Sequence, residues 1–126
     1  MNELRVHVSQ TTVDEGEIVV YNGAPLTGDV YNTAPNGTVV TAKSYRDGLE
    51  EGVQREWYAD GRPESEYRVE DNQLVGETLD WHRNGRLARR QVFDEYGQLQ
   101  AREVWDEEGD LLPDESFDYR SADVTE

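Results

Sequence analysis

Bulky apolar residues recur along this chain at a fixed step: Tyr45, Trp57, Val69, Trp81, Phe93, Trp105 and Phe117 stand 12 residues apart. Glycines keep the same clock at twice the interval. Gly37, Gly61, Gly85 and Gly109 form one series, and Gly28, Gly52 and Gly76 form another, offset by nine. A step of 12 is too short for a helix pair, but it suits one strand of about eight residues with a turn of three or four. Turn chemistry falls where that requires, at Asn36-Gly37, Asp47-Gly48, Asp60-Gly61, Asp71-Asn72, Asn84-Gly85, Tyr96-Gly97 and Glu108-Gly109. Each supplies a residue that tolerates positive φ. The pattern predicts an all-β chain, an extended, twisted, single-sheet antiparallel β-meander built from 24-residue hairpin repeats.

Parity sharpens the expectation. From Val39 to Phe117 the apolar positions Val39, Tyr45, Val53, Trp57, Val69, Val75, Leu79, Trp81, Leu87, Phe93, Leu99, Trp105, Leu111 and Phe117 are all odd, and residues of one parity share a face of a strand. Three-residue loops at 35–37, 59–61, 83–85 and 107–109, each a type I turn closed by a left-handed glycine, would keep that set together. They would also oppose Trp57 to Pro63, Trp81 to Leu87, Phe93 to Leu99 and Trp105 to Leu111, pairs contributing roughly 0.2 to 1 kcal/mol each. The even positions are mostly polar, which predicts one apolar face and one solvated face. Domain organisation follows as residues 1–20, N-terminal strands capping the sheet; 21–118, the array of about four units; and 119–126, a polar acidic tail.

Composition narrows the chemistry. The 126 residues carry 28 Asp and Glu against 12 Lys and Arg, a formal net charge of −16, and no cysteine. Disulfides, thiolate metal sites and cysteine nucleophiles are excluded. Leu, Ile, Val and Phe number 26, so a thick core is not expected and order must come from neighbouring rungs. The acid excess would be repelled by nucleic-acid phosphates and anionic lipid headgroups, and favours a basic protein partner. No stretch approaches the roughly 20 apolar residues of a membrane span, and the start lacks a signal-peptide pattern, which points to the cytoplasm. A GC-rich or salt-adapted source would produce the same arginine-over-lysine skew, with Lys43 alone against 11 arginines.

The segment from Tyr45 through Gly52, Trp57-Tyr58-Ala59-Asp60-Gly61 to Pro63 resembles the MORN-repeat variant family. Val69 to Gly76, followed by Trp81-His82-Arg83-Asn84-Gly85-Arg86-Leu87, repeats the pattern, and the stretches 21–39 and 93–111 are similar to degraded copies, with Thr33 at a tryptophan position and Gln100 at a glycine position. The resemblance implies hairpin repeats in an extended sheet. It also implies a role as antitoxin or immunity protein for a toxin, or alternatively as a scaffold that organises other proteins.

Candidate chemistry is sparse. His7 and His82 have no accompanying nucleophile pattern, so no catalytic residue and no enzyme activity is expected. Asp106-Glu107-Glu108-Gly109-Asp110 lacks calcium-loop spacing and reads as a solvated turn, so neither metal nor cofactor is expected. The tryptophans read as sheet packing, whereas Tyr58 and Tyr96 read as exposed. The partner-binding residues expected are Tyr58, Asp80 and His82, with Glu56 and Asp60 as flanking charges.

Overall fold

The computed structural model describes residues 4–113. Phe117, the Asp114-Glu115 cluster and the 119–126 tail therefore lie outside the described residues. The chain is nearly all β: β1 (Arg5–His7), a 3-10 turn (Val8–Gln10), β2 (Thr12–Val13), β3 (Val19–Tyr21), β4 (Ala24–Pro25), β5 (Gly28–Thr33), β6 (Val39–Arg46), β7 (Leu49–Glu50), β8 (Gly52–Trp57), β9 (Pro63–Glu70), β10 (Gln73–Trp81), β11 (Leu87–Phe93), β12 (Leu99–Trp105) and β13 (Leu111–Leu112). From β5 onward, neighbours in sequence are neighbours in one antiparallel sheet ordered β5-β6-β8-β9-β10-β11-β12-β13, with β7 paired to β6. This is the extended meander that the 12-residue step predicts.

Two features depart from a single antiparallel sheet. β1 joins the edge parallel to β5, with Val6 beside Val30, and β2, β3 and β4 form a separate three-stranded sheet. The buried apolar cluster lies where these meet: Val6, Leu26 and Val30, with Leu4, Val19, Tyr21 and Tyr45 against them. Gly48 makes the close approach possible. A Cβ there would lie 2.1 Å from Ile18 Cγ2 and 2.9 Å from the Val19 carbonyl, and its φ is +84°. Only glycine fits both demands.

The loops carry the geometry that their sequences dictate. Tyr58 N–H donates to Arg62 O at 2.8 Å and Gly61 N–H to Tyr58 O at 2.9 Å, and the same pair of bonds closes the loops at 34–38, 82–86, 94–98 and 106–110. Trp57 opposes Pro63, Trp81 opposes Leu87, Phe93 opposes Leu99 and Trp105 opposes Leu111, as the three-residue loops require. Of the alternate turns, two are two-residue ones in which both residues are left-handed, Asp47 and Gly48 at φ 53° and 84°, Asp71 and Asn72 at 50° and 67°. These match the right-handed twist of the flanking strands.

The single apolar face is corrected by the register. Beyond Trp57–Pro63 the next pair is Glu56–Ser65, which leaves Glu64 as an extra residue. Each such bulge shifts the pairing by one, so odd residues on one strand share a side with even residues on the next. Glu56 shares a side with Ser65, Ser65 with Asp80, Asp80 with Arg89 and Arg89 with Val104. The adjacent Trp57, Trp81 and Trp105 therefore all face the other way. Tyr45, Val69 and Phe93, in phase with Glu56, Ser65 and Arg89, lie on the opposite side from the tryptophans. The sheet has a tryptophan face and a tyrosine face, each part apolar, and the small N-terminal sheet packs on the tyrosine face.

A second irregularity recurs after each two-residue turn. Between Val75–Arg68 and Leu79–Glu66, β10 carries two more residues than β9, and the β7–β8 stretch does the same against β6. Gln54 fills the first of these gaps. Fully buried, it accepts the Ser44 N–H at 2.8 Å and donates to Ser44 O at 3.0 Å and Gly52 O at 3.2 Å. Its side chain replaces the ladder bonds that the bulge removes.

Candidate functional site

The five expected partner-binding residues come from one end of the tyrosine face, and each has a partner inside the chain. The Tyr58 hydroxyl donates to the Trp81 carbonyl at 2.6 Å, and Arg83 stacks over its ring with the guanidinium carbon 4.7 Å from the centroid. One repeat on, His82 Nε2 bonds the Trp105 carbonyl at 2.8 Å. Tyr58 and His82, 24 residues apart, are thus equivalent struts, each reaching the tryptophan carbonyl of the following repeat. The expectation that Tyr58 stands exposed is corrected: its length lets it bridge to the next rung. Burial, then the Glu64 carboxylate, push its phenol above its ordinary value.

The flanking charges are paired as well. Asp80 meets Arg89 directly across the ladder at 3.0 Å, and Glu56 lies 3.8 Å from Lys43. Asp60 Oδ1 accepts the Arg62 N–H at 3.0 Å, closing its own turn. Around these residues the turns are tied to one another. Asn36 Nδ2 donates to Ala59 O at 3.1 Å, Arg62 to Arg83 O at 2.8 Å and Asn84 Nδ2 to Glu107 O at 2.8 Å, while Arg86 donates to Glu108 O. Arginines spent on neutral carbonyls keep their charge but are held in place, and acidic turns project between them. His7 is also occupied, with Nδ1 capping the 3-10 turn at Ser9 N–H and Nε2 bonding Thr33 Oγ1 at 3.1 Å.

The opposite end holds a cleft of about 490 Å³ that sequence reasoning missed. The loop before β3 supplies Gly16 and Glu17, the tyrosine face supplies Tyr45, Tyr67 and Val69, and β7 and β10 supply Leu49, Glu50 and Leu74. Leu49 and Leu74 are exposed. Among the described residues, no lysine or arginine lines it. Lys43 lies behind Glu50, 4.0 Å away, and is shared with Glu56, so one cation serves two carboxylates. Burial opposes the Lys43 charge, but Tyr67, Glu50 and Glu56 outweigh it and raise its pKa. Burial pushes the Tyr45 and Tyr67 phenols up, reinforced by Glu50 and opposed by Lys43.

The loop that walls this cleft breaks a rule kept elsewhere. Asp14 N–H donates to Ile18 O at 3.0 Å and Glu17 N–H to Asp14 O at 2.9 Å, the same closure seen in the 94–98 and 106–110 loops. There the left-handed place is filled by Gly97 and Gly109; here Gly16 stands one residue early and Glu17 takes φ 66°. Holding a non-glycine residue there costs roughly 1 kcal/mol. The signal was visible in the sequence as a glycine out of phase with its loop.

Among the described residues no group of three or more His, Asp or Glu could hold a metal ion; in the Asp106 turn the carboxylate instead accepts the Glu108 and Asp110 N–H groups at 3.0 and 2.9 Å. Also among them, no helix is long and apolar enough to cross a membrane.

No protein-family model matches the chain, and no curated protein does. Among solved structures it is similar to a chain in the crystal structure of accessory secretory protein 1,2 and 3 in Streptococcus pneumoniae, with 17% identity, a TM-score of 0.42, and coverage of 88% of this chain and 23% of that one. The chain thus spans about a quarter of the length of that protein, and a likeness at this level carries no argument about function.

Proposed function

We propose that this chain is a non-catalytic protein-binding module of the MORN-variant kind, a cytoplasmic immunity protein or antitoxin that neutralises a basic toxin domain by occluding its active site. The observation that carries the reading is the carboxylate excess, −16 over 126 residues, mounted on a sheet whose repeats are strapped together by side-chain-to-carbonyl bonds. A surface of that kind is pre-organised, so little ordering cost accompanies docking. Its field would also steer a basic partner, raising association rates by ~10 to 10³.

On this reading the tyrosine face around Glu56, Tyr58, Asp60, Asp80 and His82 offers carboxylates and aromatic ring surface, while the Tyr58 hydroxyl and His82 Nε2 hold the scaffold. Toxins that cut or modify nucleic acid need cationic sites, and a rigid acidic sheet competes for them. Co-expression with the protein encoded beside it tests the reading. Growth should be rescued, the two chains should co-purify in a fixed ratio, and binding should weaken as salt is raised. A harmless, unbound neighbour would refute it.

A further inference from the structure

We propose that the cleft between the Glu15-Gly16-Glu17 loop and the tyrosine face receives an arginine side chain, presented beside an apolar residue by a protein partner. This rests on the preceding reading only in taking the partner to be a basic protein.

The occupant follows from the surroundings. Carboxylates stand on two separate elements of the lining, Glu17 on the loop and Glu50 on β7, and the sheet side between them is phenol ring and valine, Tyr45, Tyr67 and Val69. Such a lining repels phosphates and carboxylates and leaves a neutral apolar group beside charge. A guanidinium suits it better than an ammonium, since it is weakly hydrated, stacks on aromatic faces and donates in a planar fork to carboxylates. The chain uses the same pairing internally, with Arg5 stacked 4.3 Å over Tyr31 and Arg83 4.7 Å over Tyr58. Leu49 and Leu74, exposed at the same cleft, fit an apolar neighbour of that arginine. The volume, about 490 Å³, falls within the roughly 300 to 1,000 Å³ of pockets that take small ligands, which is room for a side chain and an apolar neighbour. A second copy of this chain is disfavoured by its own charge of −16.

Glu17 ties the cleft to a role beyond folding. Glycine would relieve its backbone at φ 66°, and Glu17 enters none of the ion pairs among the described residues. Its carboxylate therefore contributes nothing visible to stability while its backbone is strained, an arrangement associated with binding sites.

The test titrates the full chain with the peptide acetyl-Leu-Arg-Leu-amide, followed by amide and tyrosine-ring NMR signals, beside a twin carrying citrulline in place of arginine. Saturable shifts confined to Glu17, Tyr45, Glu50, Tyr67 and Leu74 are expected, at least tenfold weaker for the citrulline twin and roughly fivefold weaker in Glu17→Gly. Glu17→Gly should at the same time raise the unfolding midpoint, a combination that a purely structural glutamate would not give. Shifts scattered over both acidic ends, equal binding of the citrulline peptide, unchanged binding in Glu17→Gly, or no shift at all would each overturn the proposal. Those results would leave growth rescue by co-expression intact, so failure here and failure of the immunity reading are distinguishable.

Discussion

Truncating Gln54 should remove more stability than any exposed substitution in the chain. Its amide is fully buried and makes three hydrogen bonds to backbone groups. In Gln54→Ala the Ser44 N–H loses its acceptor in a place water does not reach, a penalty of about 1 to 3 kcal/mol. The Ser44 carbonyl keeps one partner, since Glu51 N–H donates to it at 3.0 Å, so the second loss is smaller. The space left by the amide and one methylene adds about 1 kcal/mol. Together these give roughly 2 to 4 kcal/mol, a large share of the 5 to 15 kcal/mol typical of a domain. Urea unfolding followed by tryptophan fluorescence measures it, because Trp57 ends the same strand. Gln54→Met keeps the volume and should lose only about 2 kcal/mol. Exchange of the Ser44 amide proton, slow in the parent, should accelerate in both. A loss below about 1 kcal/mol in Ala, or a loss in Ala with none in Met, would refute the assignment of the energy to the hydrogen bonds. One repeat later Thr78 is buried with Oγ1 unpartnered, so Thr78→Gln, which places a longer amide in the same bulge, should raise the midpoint.

Other consequences follow from the struts, the tight contact and the phenols. Tyr58→Phe removes the bond to Trp81 O and should cost about 1 kcal/mol by urea unfolding; no change would mean the strut is inert. Gly48→Ala forces a Cβ against Ile18 and Val19 at φ +84° and should lose more than about 2 kcal/mol, whereas Gly61→Ala, at φ +94° with open space around it, should lose about 1 kcal/mol. Equal effects would place Gly48 away from the N-terminal sheet. Tyr45, Tyr58 and Tyr67 all have phenols raised above 10.0, so the fold favours their protonated forms. That contribution is complete below the unfolded value near 10 and is lost as pH rises through the folded values. Absorbance at 295 nm should show phenolate forming later in the folded chain than in urea, with stability falling above pH 10; coincident titrations would contradict the burial of these rings.

The 12-residue clock made the strands, the loop positions and the opposed aromatic pairs legible because turn chemistry is local: an Asn-Gly or Asp-Gly at fixed spacing marks where each strand ends. Face assignment failed for an equally local reason. A three-residue loop keeps parity only at its mouth, and the bulge that accompanies it moves every residue behind it to the other side, so Tyr45, Val69 and Phe93 parted from the tryptophans. Strands capping the sheet are legible over residues 1–20, but their pairing into a separate three-stranded sheet is not, because two- and three-residue strands, one of them Ala24-Pro25, carry no periodicity. Gly48 is needed there for a contact with Ile18 that only the fold brings about.

The candidate site divides along the same line. Tyr58 and His82 look exposed when a strand is considered alone, since nothing in one repeat gives them a partner. In an array, position i of one repeat lies beside the next repeat, and a side chain long enough to cross one strand spacing finds the tryptophan carbonyl 23 residues on. Repeat position therefore decides which polar groups are spent on cohesion before a partner arrives. Outside the repeat, as at the Glu15-Gly16-Glu17 loop, cohesion does not claim the side chain, and a carboxylate held against its backbone preference is left facing a cleft of tyrosine and leucine. The segments beside a regular ladder, not its rungs, are thus where binding chemistry is free to appear.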